Sequence, residues 1–326
     1  MYIVIAVVAV LVVAAVGASL LMKKSDNTSS IKILMLKKTD SSLAYSPLDK
    51  EAVYNGSYSL SRYLYLYTNG VPASTSSIYK WLSLVLNETG QQLVVNAGFY
   101  ELQASDLSAM KAQLVGGTNA NVTGDFKESG STTMAEITAL WAQEFKQDTG
   151  ITVTLSTPGS GAGIKDFYNG LVDVAQASRA MTSDEKAKAA ANNIEVVEWK
   201  VAVDGLAIIV NKDNPVTTLT IGQLEGIFNG TYTNWNQVGG NDQAISLYGR
   251  DSASGSYASF KDLVLVKKEN YSAAMLQFNT NALIVPEVEN AKGGVGYVGI
   301  GYAKEAAGTS AALEMAEVSA AVLREF

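Results

Sequence analysis

The chain has 326 residues, a formal charge of −7, and neither cysteine nor histidine. An acidic chain of this kind is excluded from backbone-driven binding of nucleic acid. The two missing residue types remove disulfides, thiol catalysis, thiolate metal sites and the commonest general base. A serine–lysine pair or a carboxylate-bound metal are the routes to hydrolysis that remain. No such cluster stands out, so the chain is read as a binding protein with no cofactor and no metal, not as an enzyme.

In chain order, Met1 to Met22 carries no charged side chain and is dense in Val, Ala and Leu. That is about the 20 apolar residues needed to cross a bilayer, so residues 1–24 are predicted to form a hydrophobic helix, either a signal or an anchor. Lys23 to Ser30 is a polar linker. Strands are predicted over Ile31–Leu36 and Tyr58–Tyr67, and Ile78–Leu86 has helical spacing with Trp81, Leu82 and Val85 on one side. Gly116 to Gly124 is a Gly/Asn/Thr stretch and the clearest internal boundary. Beyond it strands and helices alternate: helix over Thr132–Lys146, strand over Ile151–Leu155, helix over Gly163–Leu171, strand over Val172–Ala177. Leu206-Ala207-Ile208-Ile209-Val210 reads as a strand buried on both faces. Ile245–Tyr248 reads as a strand and Tyr257–Leu263 as a helix. Such alternation predicts an α/β fold with its ligand beyond the carboxyl ends of the strands.

The stretch Gly249-Arg250-Asp251-Ser252-Ala253-Ser254-Gly255-Ser256 is a Gly/Ser loop between a strand and a helix. The first N–H groups of a helix lack internal partners and favour negative charge. With hydroxyls and a guanidinium added, the loop suits a small oxyanion. Arginine is scarce, with only Arg62, Arg179, Arg250 and Arg324 in the chain. Three other loops have the same chemistry: Gly130-Ser131-Thr132-Thr133, Gly159-Ser160-Gly161, and Ala177-Ser178-Arg179. Each hydroxyl loop can equally cap the helix it opens, and Arg179 can equally form a surface ion pair. Asp204, between Val203 and Gly205, is a carboxylate among apolar residues.

In order and spacing, these pieces resemble the phosphate-binding proteins of ABC-type phosphate importers, from about Phe126 to Tyr302. Thr220-Ile221-Gly222-Gln223-Leu224, Ile227-Phe228-Asn229-Gly230, Asn234-Trp235, Val238-Gly239-Gly240 and Gly296-Tyr297-Val298-Gly299 extend the match. The departure lies in chain order. Ile31 to Leu102, including Gly56 to Gly70, resembles the family's C-terminal portion yet comes first.

The resemblance implies a two-lobed periplasmic-binding-protein type II fold, circularly permuted, behind an N-terminal hydrophobic helix. One lobe would combine 49–103 with 125–203, the other 31–48 with 206–311. Residues 104–124 would be the permutation linker, and 312–326 an added C-terminal helix. Crossings would fall near Val203–Leu206 and Tyr58–Arg62. The implied ligand is inorganic phosphate, held by Ser131, Thr132, Thr133, Ser160 and Ser178 of one lobe and Arg250, Ser254, Gly255 and Ser256 of the other. Some family members have an aspartate where Arg179 stands here. Asp204 is therefore expected to accept the P–OH hydrogen, with Arg179 donating to the anion or pairing with Asp204. The implied partners are an ABC phosphate permease and, through the N-terminal segment, the membrane. The implied location is extracytoplasmic. Another tetrahedral oxyanion such as sulfate, or a sensing or adhesion role, remains the alternative.

Overall fold

In the computed structural model, residues 31–119, 122–265 and 270–308 are described. The expected helices over 1–24 and 312–326 lie outside them. Among the described residues no helix is long and apolar enough to cross a membrane.

The strands in chain order are β1 (Ile31–Ile33), β2 (Met35–Lys37), β3 (Ser61–Asn69), β4 (Phe126–Gly130), β5 (Val153–Ser156), β6 (Val174–Ala177), β7 (Val196–Asn211), β8 (Thr218–Thr220), β9 (Ser246–Arg250), β10 (Leu276–Phe278) and β11 (Gly294–Gly299). Most form one mixed sheet in the order β10-β9-β11-β7-β3-β6-β4-β5, with β1 also on β7, while β2 and β8 pair separately. Helices connect the strands, giving the mixed α/β architecture that the alternating pattern predicts.

The 16-residue β7 organises the sheet. Its first part pairs antiparallel with β3 as far as Gly205 opposite Ser61. From Leu206 onward it pairs with β11 and β1. Leu206 to Val210 is fully buried, as expected for a strand covered on both faces. The reading from sequence caught only this half of β7, because Glu198 and Lys200 break the apolar run in the other. Asp204 and its cross-strand partner Arg62 sit where the strand changes neighbours.

Other differences are local. Leu34 interrupts the run predicted over Ile31–Leu36: its N–H bonds to Ile208 O, while Met35 turns to pair with Thr218. The predicted strand over Tyr58–Tyr67 begins at Ser61, since Tyr58 opens a turn in which its carbonyl accepts from Ser61 N, and its hydroxyl donates to Leu206 O at 2.6 Å. Within 104–124 lies a helix, Ala104–Leu114, of which Leu114 alone is buried.

The aromatic core lies on both sides of this frame. Trp81, Phe126, Trp141 and Phe145 meet edge to face against β4. Phe260 stacks on Tyr297 with centroids 4.2 Å apart beneath β9. Each cluster fixes a strand whose carboxyl end carries one of the hydroxyl loops.

Candidate functional site

Parallel pairing of β4 with β6 brings Gly130 level with Gln176 and so puts Ser131 beside Ser178. Gly130 has φ +152, and a Cβ there would lie 1.9 Å from Gln176 O, so only glycine lets the strands approach this closely. Ser131 Oγ caps the single 3₁₀ turn Thr132–Met134 by accepting from Thr133 N at 3.1 Å, and it donates to Ser178 Oγ at 3.1 Å. Ser160, the first residue of helix Ser160–Tyr168, accepts from Ser178 N at 3.1 Å. Its hydroxyl also lies 3.3 Å from that of Ser178. Three serines from three loops thus form one buried chain.

From the other side comes β9. Arg250 ends it, and Ser254 caps helix Gly255–Val264 by accepting from Ser256 N at 3.0 Å. Gly255 faces the serines: a Cβ there would stand 2.3 Å from Ser178 Oγ and 2.4 Å from Ser160 Oγ. Ser256 Oγ is 3.0 Å from Thr133 Oγ1, and Arg250 Nη2 donates to Thr132 Oγ1. Ser259 Oγ donates to Ser178 O at 3.2 Å. All of Ser131, Thr133, Ser160, Ser178, Ser254 and Ser256 are buried.

The structure therefore brings together Ser131, Thr132, Thr133, Ser160, Ser178, Arg250, Ser254, Gly255 and Ser256. Buried hydroxyls need partners, and here they find them in one another across the two edges. Each hydroxyl retains acceptor and donor capacity by simple rotation. An anion between these edges could take hydrogen bonds from all of them, besides the N–H groups that open helix Gly255–Val264.

Asp204 joins the group, with a partner that sequence did not suggest. Its Oδ2 accepts from Arg62 Nε at 3.0 Å and Nη2 at 2.6 Å, and its Oδ1 accepts from Ile300 N at 3.1 Å. Arg62 Nη2 also donates to Ser256 Oγ at 2.9 Å. The expected Arg179–Asp204 pair is thus corrected. Arg179 makes a bidentate pair with Glu185, at 2.8 and 2.7 Å. Glu185 is the third residue of helix Ser183–Ala191 and closes its capping box with Thr182, so its carboxylate is held where Arg179 emerges from β6. The hydrogen bond to Glu185 raises the Arg179 guanidinium above its ordinary value. Burial works to raise the Glu185 carboxyl, but the bonds from Arg179 and Thr182 win and lower it. Arg179 stands at the rim, its Nη2 3.9 Å from where a Cβ of Gly161 would be.

Arg62 is the residue that sequence reasoning missed. Its only signals were the rarity of arginine and its place at a predicted crossing. Among the described residues no group of three or more carboxylates gathers to hold a metal.

A family model described as the PBP superfamily domain matches residues 116–323. Protein SphX of Synechococcus elongatus is 34% identical over 191 residues, covering 56% of this chain and 56% of that protein. The phosphate-binding protein PstS of Staphylococcus haemolyticus is 34% identical over 183 residues, covering 55% and 57%. The match thus spans little more than half the length of these relatives. An ABC-type phosphate transport receptor from Vibrio cholerae is 33% identical, with 55% of this chain and 72% of that one aligned at a TM-score of 0.44. Hydroxyl loops gathered at strand ends on a mixed α/β frame, and a family match over nearly two thirds of the sequence, place this chain in the PBP superfamily.

Proposed function

We propose that this chain is an extracytoplasmic receptor that binds inorganic phosphate between two lobes and delivers it to an ABC permease, without chemical turnover. The observation that carries the reading is the double edge of buried hydroxyls, Ser131, Thr133, Ser160 and Ser178 against Ser254 and Ser256, with Asp204 beside them. Phosphate near neutral pH needs many donors and at least one acceptor. Hydroxyls and helix N–H groups satisfy a desolvated anion without full countercharge. Asp204 then accepts the P–OH hydrogen and disfavours an oxyanion that has none. That relatives over 30% identical are named phosphate-binding proteins supports the choice of anion.

In this reading the lobes are 49–103 with 125–203 and 31–48 with 206–311, crossing at Arg62 and Asp204. The fold is the type II form, and its order is circularly permuted. Two observations support the permutation. Ala303, Ala306 and Ala307 share a hydrophobic cluster with Ile31, so the chain from Ala307 to Ile31 needs only a short connection. The family match begins at 116, although β3, before it, is built into the sheet between β7 and β6. Residues 104–124 then bridge the ancestral ends, and the N-terminal segment tethers the receptor to the membrane.

The test of the anion is thermal melting of the protein with phosphate, sulfate, nitrate or chloride at equal ionic strength. A rise confined to phosphate supports the reading, and equal rises with sulfate would replace it by a general oxyanion binder. The permutation is tested by a chain that runs 125–308 and continues through a short linker into 31–103. It should fold and respond to phosphate as the native order does, whereas an unfolded product would refute the reconstructed order.

A further inference from the structure

Arg62 lies outside the residues that match the family model, in the segment that precedes them. Its side chain is 6% exposed. Nε and Nη2 are committed to Asp204 and Ser256, but Nη1 is buried and has no partner. A guanidinium has five N–H groups in a rigid fork, two of them on Nη1. A buried charged donor without an acceptor is costly, so Nη1 calls for one.

Arg250 is the obvious cation of this site, yet its donors are largely used within the protein. Nε donates to Phe278 O at 3.2 Å, Nη1 to Asn281 Oδ1 at 3.2 Å, and Nη2 to Asn279 O at 2.7 Å and to Thr132 Oγ1. These bonds leave one N–H of five. Burial also lowers the Arg250 guanidinium from its ordinary value.

We propose that Arg62 is the cationic donor to the bound oxyanion and that Arg250 mainly braces the loop that carries Ser254 to Ser256. The proposal rests on the phosphate reading and deepens it. Arg62 Nη1 supplies two N–H groups at the end of the guanidinium where Nη2 reaches Ser256, while the Asp204 carboxylate, held by the Nε–Nη2 edge, has four acceptor sites and uses three, two by Arg62 and one by Ile300 N. One neutral ion pair therefore keeps both a free donor and a free acceptor. That pattern complements a tetrahedral oxyanion carrying at least one proton, with P–O⁻ toward Nη1 and P–OH toward Asp204. Ser256 connects the pair to Thr133, so Arg62 is also where the two hydroxyl edges meet.

The test is calorimetric titration of phosphate and sulfate into the full chain, its Arg62→Lys variant, and the double variant Arg62→Gln/Asp204→Asn. Lysine keeps the charge but loses the fork, and phosphate affinity should fall on the order of 100-fold. The double variant leaves no charge buried alone, should stay folded, and should lose a similar factor together with most of its preference for phosphate over sulfate. Phosphate affinity within about 3-fold of wild type in either folded variant would overturn the role of Arg62. If the wild-type protein binds no oxyanion, the phosphate reading falls and the proposal with it; binding kept by the variants removes Arg62 alone. A measurement without variants is the nitrogen NMR spectrum of the arginine side chains, of which the chain has four. The Arg62 signals should shift on adding phosphate, and an unchanged Arg62 alongside shifted neighbours would overturn the proposal.

Discussion

Glu128 offers a prediction that can be worked through from the structure. It lies on β4, two residues before Gly130, and is fully buried. Strand alternation puts it on the face of Phe126, against Trp81 and Phe145. Neither carboxylate oxygen has a hydrogen-bond partner, and nor do Trp81 Nε1 and, on the same sheet face, Gln176 Oε1. Burial pushes the Glu128 carboxyl up to about 8, with the Trp81 N–H the group that pulls the other way. Charged and titratable side chains on helices Ser77–Val85 and Ala135–Thr149 are partly or fully exposed, and β5 and β6 carry none.

The sign follows from proton binding. Below about pH 4.5, the ordinary value of a glutamate carboxyl, the carboxyl is protonated both folded and unfolded, and Glu128 has no effect on the pH dependence. Between there and about 8 the unfolded chain releases the proton while the folded one keeps it, so stability falls as pH rises and levels off above. The gap of ~3.5 pH units corresponds to an upper bound of ~5 kcal/mol. Glu128→Gln is neutral throughout. Its stability relative to wild type should climb steadily from pH 5 to 8 by a few kcal/mol. Urea midpoints of both proteins across pH 5–9 measure this. Parallel profiles would refute the reasoning and mean that Glu128 is ionised and solvated in the folded state.

Three further predictions concern the site. Asp204→Asn should weaken phosphate by ~1–3 kcal/mol, because it removes the carboxylate that accepts the P–OH hydrogen, and should narrow the gap to sulfate in parallel titrations. Gly255→Ala should abolish tight binding while the fold persists, since its Cβ would stand 2.3 Å from Ser178 Oγ; unchanged phosphate affinity would show that the two edges do not need to meet. Arg179→Gln should lower stability by ~1 kcal/mol by breaking the partly buried pair with Glu185. It should change phosphate affinity by less than about 3-fold, as expected of a rim charge, and a large loss would restore Arg179 to the anion's inner contacts.

Much of this arrangement was legible in the chain because its chemistry is local. Ser131, Ser160 and Ser254 each follow a strand and open a turn or helix, Ser178 directly follows a strand, and strand-end loops in an α/β sheet converge. The rest depended on contacts far apart in sequence. Arg62 meets Asp204 across 142 positions, and nothing in the run Tyr58–Tyr67 says that its one charge faces inward. Glu128, in a short strand beside the exposed Lys127, reads as a solvent-facing residue until the aromatic cluster closes over it. The partner of Arg179 was within reach for the opposite reason: Glu185 is only six positions on, placed by a capping box that Thr182 and Glu185 already spelled out.

The central claim is that the gathered hydroxyls and the Arg62–Asp204 pair hold a protonated tetrahedral oxyanion. Calorimetric titration of the protein, freed of bound anion, with phosphate and then sulfate near pH 7 tests it most directly. One-to-one heat of binding with phosphate and none with sulfate at the same concentrations is the predicted result. Equal binding of both, or heat with neither, would contradict it.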